Sequence, residues 1–389
     1  MHILLFILYS AVACYAILRF PFFRKSGLRP GVLLLLFALH VLTGCLHNLI
    51  AWRFYPDHGD IWFYFHSSIL MTNELRNNFH TFLLDYSTWN LFTHNALATI
   101  DIILNFFSRE NIYVNTLLFS FPVFLGTTAL FRVLRHHFPD SMLTALSTYL
   151  LPSVLFWTSC VHREGAIYMF LGFFLYSLDH RSWKSAVLYF LLISYFRSAV
   201  ALTLIPALIM IIWRWPSPTP RRKNLLLAAG LGLLLVLVLA GPRLLKGLAV
   251  QQQAFQILNG NSRINLPVLD GTPASLLHTL PAAMLNGWFE PLPGTGGQIV
   301  YLLFSMELLL IWAVVILSLL RRPTLNSFSI GCIVFALLSM LLMGLIVPFV
   351  GAIVRYRSIY LPFILAPFLY QLCTRTILRR FDQWIALKL

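Results

Sequence analysis

Residues 31–66 read GVLLLLFALHVLTGCLHNLIAWRFYPDHGDIWFYFH. The run 31–54 is almost wholly apolar and, as a helix, rises about 36 Å, enough to cross a hydrocarbon core of about 30 Å. Two carboxylates, Asp57 and Asp60, follow at the mouth of that segment, where solvation is already falling. Gly59 between them permits a tight turn. The aromatic run Trp62, Phe63, Tyr64 and Phe65 then suits a helix lying in the membrane interface, so the stretch predicts an acid held on a ledge facing water.

Working outward, the whole chain has the same character. Hydrophobic residues make up 59% and charged residues 11%, with a mean hydropathy of +0.79, whereas soluble domains carry roughly 25% charged residues. The fold class expected is all-α: a polytopic membrane protein forming one integral membrane domain over 1–389. A formal charge of +15 does not point to nucleic acid, because Lys and Arg fall in short clusters between apolar runs, as membrane topology requires. The five cysteines are scattered through apolar runs without CxxC spacing, so neither a disulfide frame nor a zinc site is expected from them. P-loop, GxGxxG, HExxH and GxSxG motifs are absent, which disfavours NTPases, dinucleotide enzymes and zinc proteases.

Apolar runs occur at about 2–20, 31–54, 113–131, 141–160, 165–178, 185–196, 198–213, 224–241, 298–320, 327–350 and 358–374, or about eleven segments. The first is expected to be retained as a helix, since no positive charge precedes it. If the segments alternate, the clusters at 19–29, 132–135, 181–184, 214–223, 321–322 and 375–388 share one side. These hold eighteen of the 28 basic residues, so that side is read as cytoplasmic. The opposite, extracytoplasmic side receives two long loops. One, at 55–112, has helical spacing of apolar residues and predicts interfacial helices; the other, at 242–297, is rich in proline and glycine and predicts an irregular cap.

Segments 165–178 and 185–196 would rise only about 18 to 21 Å. With their cytoplasmic ends set by the 179–184 turn, their outer ends carry Arg163, Glu164 and Arg197 below the membrane surface, which calls for a protein-lined, hydrated cavity. Arg197 has no sequence neighbour of opposite charge and is expected to meet a ligand anion or a distant carboxylate. Glu307, about two and a half turns into its segment, suits either an ion pair with an arginine or a place in the site. Arg355-Tyr-Arg357 suits either interfacial snorkelling or a phosphate fork. Asp60 suits a helix N-terminus as readily as a general base. His58 and His66 beside the two acids leave a divalent metal open.

Taken together, Gly59-Asp60 before aromatics, Pro152-Ser-x-x-x-Trp157 leading to a basic-acidic pair, Arg197 in a broken hairpin and Arg355-Tyr-Arg357 before Pro362 resemble the GT-C superfamily of polytopic glycosyltransferases. The likeness is one of layout over most of the chain, and is nearest to compact members of bacterial envelope or exopolysaccharide synthesis. It implies an inverting transfer from a polyprenyl-phosphate-linked sugar donor to a glycan or lipid acceptor, on the outer face of the cell (inner) membrane. By position it implies that the family's acidic residue of the first external loop is Asp60, with Asp57 beside it, as the catalytic candidates; the residues read above, His58, Arg163, Glu164, Arg197, Glu307, Arg355 and Arg357, are then the substrate-binding candidates. The family's adjacent acids are here separated by two residues, and no cofactor is implied beyond that open divalent metal. The rival readings are an envelope polysaccharide polymerase or ligase, and a transporter or flippase for an anionic lipid-linked substrate; the latter would show internal symmetry, which this sequence lacks.

Overall fold

The computed structural model describes residues 1–55, 59–84, 96–139, 141–213, 241–258, 262–295, 299–375 and 378–388. Among these the structure is helical, with one isolated bridge between Arg263 and Phe349. In chain order the helices are α1 (His2–Arg19), α2 (Pro21–Arg24), α3 (Pro30–Phe54), α4 (Gly59–Asn77), α5 (Phe79–Leu84), α6 (Ala96–Ser108), α7 (Ile112–His137), α8 (Met142–Leu150), α9 (Pro152–Thr158), α10 (Arg163–Asp179), α11 (Trp183–Phe196) and α12 (Ser198–Trp213). They continue with α13 (241–257), α14 (Pro273–Phe289), α15 (Ile299–Leu320), α16 (Ser327–Ile346), α17 (Val350–Ser358), α18 (Leu361–Arg375) and α19 (Leu378–Lys388).

Five of these, α1, α3, α7, α15 and α16, are long and apolar enough to cross a membrane; α17 and α18, bent by 60° at their break, make a sixth if they form one span. The protein is therefore a helical, multi-pass, membrane-embedded chain. The remaining sequence segments take other forms. Segment 141–160 is broken at Leu151, where Pro152 removes a backbone donor and starts α9. Segments 165–178, 185–196 and 198–213 become helices of 17, 14 and 16 residues, or about 21 to 26 Å, still short of the apolar core. Segment 224–241 lies almost wholly outside the described residues.

The chain divides into two compact units, residues 1–136, 148–197 and 385–389 in the first, and 137–147 and 198–384 in the second. In the first unit α1 turns a row of Ile3, Leu4, Ile7, Leu8 and Val12 outward, the apolar exterior of a helix that meets lipid. Its interior is polar by comparison. Asn48 donates to Thr116 at 2.8 Å, and Asn105 to Ser68 at 2.9 Å and Thr72 at 3.3 Å. Asn115 donates to Asp101 at 3.1 Å and to Asn105 at 2.8 Å. These pairs fasten α3 to α7, α4 to α6 and α6 to α7, each satisfying groups that would be costly to bury alone.

In the second unit, α14 and α16 pack backbone to backbone. A Cβ on Gly287 would overlap the Met340 carbonyl, and one on Gly344 the Ala283 carbonyl. Ala283/Gly287 and Met340/Gly344 are each four residues apart, which puts the small residues of each helix on one face. Thr203 and Ser339, 2.7 Å apart, join α12 to α16. The loop at 242–297 is thus largely helical, in contrast to the irregular cap read from its prolines: Pro273 stands at the start of α14, where no backbone donor is needed, and Pro281 is carried inside it. Buried Gln252 pins the connecting strand of chain, donating to Pro267 and Leu345 carbonyls at 3.0 and 2.8 Å and accepting from Leu269 N at 2.7 Å.

Candidate functional site

In the first unit the site is built on α4, the α9–α10 turn and the α11–α12 break. Gly59 takes φ +71, the left-handed region that a glycine enters without strain, and α4 begins there with Asp60 exposed in its first turn. A carboxylate at that end is favoured by the helix dipole. His66 is also exposed, but six residues along a helix is about 240° around it, so it does not share a face with Asp60. Asp57 and His58 lie outside the described residues. Among the described residues no group of three metal-ligating side chains includes Asp60.

Residues 163, 164 and 197 come together through the antiparallel hairpin of α10 and α11. The hairpin brings the N-terminus of one helix beside the C-terminus of the other, although Glu164 and Arg197 are 33 residues apart. Arg197 ends α11 in an extended conformation, and its Nη2 donates to Glu164 Oε1 at 3.0 Å, with Glu164 1% and Arg197 18% exposed. Each charge sits at the helix end whose dipole favours it. Arg163, half-buried beside them, lies close enough to Tyr195 for its charge to act on that phenol. The distant carboxylate expected for Arg197 is therefore Glu164.

The helix carrying Asp60 packs on the turn that leads into Glu164. Ile61 and Phe65 meet Cys160 in one apolar cluster with Ala51 and Ile112. Tyr64 lies against a second cluster that contains Val161 and Ala166 with Leu97, Phe119 and Val123. Trp62 Nε1 donates to the Asn48 carbonyl of α3 at 3.0 Å, fixing the rotation of α4.

The second unit holds Glu307, Arg355 and Arg357. Arg357 is 1% exposed, and donates to the Gly287 carbonyl at 3.4 Å and to the Glu290 carbonyl. Glu307 is buried and contributes with Glu290 to the field at Arg357. Arg355 is half-buried, with its Nη2 donating to Tyr356 OH at 3.1 Å and its guanidinium 4.9 Å from that ring's centre. Both arginines belong to α17, where two residues are about 200° apart. They do not form one fork: Arg357 ties α17 to the end of α14, while Arg355 faces another way.

Two cavities on the first unit, of about 530 and 280 Å³, are lined by Lys25, Arg132, Arg135, His136, Asp179 and His180, and by Phe22, Phe173, Tyr176, Ser182 and Tyr189. They stand at the end assigned to the cytoplasm by charge, and neither contains Asp60, Glu164 or Arg197. Sequence reading passed over Asp101, buried on α6 among Ser68, Asn105 and Asn115. Burial pushes its carboxyl up to about 8 against the opposing Asn115 hydrogen bond. The signal was Asp101 and Asn105 four residues apart in an otherwise apolar helix.

The chain matches no family model, no curated protein and no solved structure.

Proposed function

We propose that the protein is a membrane glycosyltransferase of GT-C type, moving a sugar from a polyprenyl-phosphate-linked donor to an extracytoplasmic glycan or lipid acceptor. The observation that carries the reading is the Glu164–Arg197 pair. It joins a buried acid and a partly buried arginine at the ends of two helices too short to cross, next to the turn on which the helix carrying Asp60 packs. A charged pair at such a depth is expensive to keep and marks a substrate path by default.

In this reading Asp60 takes the proton of the acceptor hydroxyl as its oxygen attacks the anomeric carbon from the face opposite the phosphate. The new C–O bond forms as the bond to the phosphate oxygen breaks, with inversion, and the electron pair leaves on the polyprenyl phosphate. Arg197, held in place by Glu164, stabilises the charge growing on that leaving group in a poorly hydrated setting, where a preorganised cation acts more strongly than in water. A lipid-phosphate donor needs no nucleotide site, in keeping with the missing phosphate loops. The finer topology belongs to the same proposal: about eleven segments in the cell (inner) membrane, with 55–112 and 242–297 outside.

The test is transfer in proteoliposomes, using a panel of polyprenyl-phosphate hexoses labelled in the sugar, with envelope glycan as acceptor. Asp60→Asn keeps the shape and removes the base, so transfer should fall by roughly 10² to 10⁴ while the fold is retained. A folded, fully active Asp60→Asn protein would move the base to Asp57 or Glu164, or end the enzyme reading. Passage of intact labelled donor across the bilayer, with its sugar–phosphate bond unbroken, would replace the enzyme by a flippase, and transfer of whole repeats by a polymerase.

A further inference from the structure

Three groups with a strong affinity for metal meet in the first unit, around the turn that leads into Glu164. His47 on α3, and Cys160 and His162 in the turn between α9 and α10, are all buried, and one ligand atom from each lies within 4.8 Å of the other two. We propose that this cluster is a metal site for a d¹⁰ ion that favours thiolate and imidazole, Zn²⁺ or Cu⁺, and that the ion pins the α9–α10 turn to α3.

The local structure sets up the ligands. The His162 backbone N–H donates to the Cys160 carbonyl at 2.7 Å, a tight turn that lets side chains two residues apart face one point. His47 Nδ1 lies 2.9 Å from the Phe156 carbonyl, an acceptor only, so Nδ1 carries the proton and the lone pair of the neutral ring is on Nε2. This is the outer hydrogen bond by which metal-binding histidines are oriented. The same ring is stacked on Phe156 at 4.2 Å and set edge-on to Trp157 at 4.9 Å, and its centre is 5.1 Å from that of His162. On the α3 side Gly44, one turn earlier, allows the helix to approach the Ser159 carbonyl, where a Cβ would overlap it. Ser120 also donates to that carbonyl at 2.8 Å.

Bond lengths of about 2.3 Å to sulfur and 2.0–2.1 Å to nitrogen bring tetrahedral ligand atoms to about 3.3–3.6 Å from one another. From the observed separation, side-chain rotations of about an ångström close the set. One thiolate and two imidazoles disfavour Mg²⁺ and Ca²⁺, which take oxygen ligands, and suit ions that accept sulfur and nitrogen in low coordination. The thiolate would neutralise Cu⁺ fully and leave one positive charge with Zn²⁺. Because Arg163 and Glu164 directly follow His162, the ion would also set the position of the Glu164–Arg197 pair. The metal site does not depend on the reaction proposed above, and its test reads metal, not transfer.

The full chain, purified in detergent and stripped with chelator, is titrated anaerobically with Co²⁺ as a spectroscopic substitute for zinc. In a separate arm it is titrated with Cu⁺ under reductant, in competition with bicinchoninate. About one ion per chain is expected in one arm. For Co²⁺ this should show a thiolate-to-cobalt charge-transfer band and intense tetrahedral d–d bands, both discharged by Zn²⁺. Cys160→Ser should abolish the band, and His47→Gln or His162→Gln should weaken binding by at least 10-fold, whereas Cys45→Ser should leave it intact. Should Cys160→Ser not fold, zinc or copper must slow alkylation of Cys160 in the wild-type chain while leaving Cys45 reactive. A folded wild-type chain that takes up neither ion stoichiometrically, or a charge-transfer band that survives in Cys160→Ser, overturns the site.

Discussion

Removing one partner of the Glu164–Arg197 pair and then both separates a structural tie from a working site. Glu164→Gln keeps shape and hydrogen-bonding capacity but leaves the Arg197 guanidinium without its 3.0 Å counter-charge, and Arg197→Gln leaves a carboxylate that is 1% exposed. Breaking a buried pair costs about 3–5 kcal/mol. Arg197 keeps 18% of its surface in contact with solvent, so the loss for Glu164→Gln should fall to about 2–3 kcal/mol. That for Arg197→Gln should be larger, because the orphaned acid has almost no access to water. The double variant buries no charge and should recover about 1–3 kcal/mol of the summed losses. Thermal unfolding in one detergent at fixed pH gives the cycle, and transfer measured on the same samples gives the function. If the pair serves the reaction, the double variant is the more stable protein and still transfers no sugar. Strictly additive losses would show that the two side chains do not interact as the structure has them. A double variant with full transfer would reduce the pair to structural glue.

The other expected outcomes concern proton linkage, packing and topology. The folded chain holds the Asp101 proton to about pH 8, above the value near 4 of an unfolded aspartate. The stability it contributes is therefore complete below about pH 4 and lost as pH rises through about 8, by up to about 1.4 kcal/mol per pH unit. Asp101→Asn should flatten that slope in melting curves taken between pH 5 and 9, and an unchanged slope would place the linkage elsewhere. Gly287→Ala puts a Cβ against the Met340 carbonyl and should destabilise by about 1–3 kcal/mol; a melting point equal to wild type would mean that α14 does not pack on α16 as described. In intact cells a membrane-impermeant thiol reagent should label Val268→Cys and not Ser217→Cys, and labelling of the latter would refute the charge-based topology.

What could be read from the sequence was what depends on local composition and on distance along one helix. Apolar length marks α1, α3, α7, α15 and α16 as membrane helices without any knowledge of their neighbours, because the bilayer sets the requirement. Gly59 before Asp60 and the aromatic run told of a helix start, and α4 begins there. The shortness of the apolar runs at 165–178 and 185–196 led to the expectation that Arg163, Glu164 and Arg197 lie below the membrane surface, but it could not name their partners. Only the hairpin set Arg197 on Glu164, and only the helical form of α17 turned Arg355 and Arg357 away from one another.

The second loop shows the same division from the other side. Its prolines and glycines read as irregular chain, because local propensity treats each as a breaker. In the tertiary structure Gly287 meets Met340 and Ala283 meets Gly344 of α16, and that close approach, made by residues 53 and 61 positions apart, supports a helix through Pro281. His47 went unremarked, and Cys160 was read as a small hydrophobe with no metal site implied, for a like reason. A lone histidine and a lone cysteine in apolar runs carry no pattern, and more than a hundred residues of chain separate them. Spacing along the chain determines what one helix can place on one face. Which faces meet is decided by the packing of helices, where close backbone approach and satisfied buried polar groups select one arrangement among many that the same apolar segments would allow.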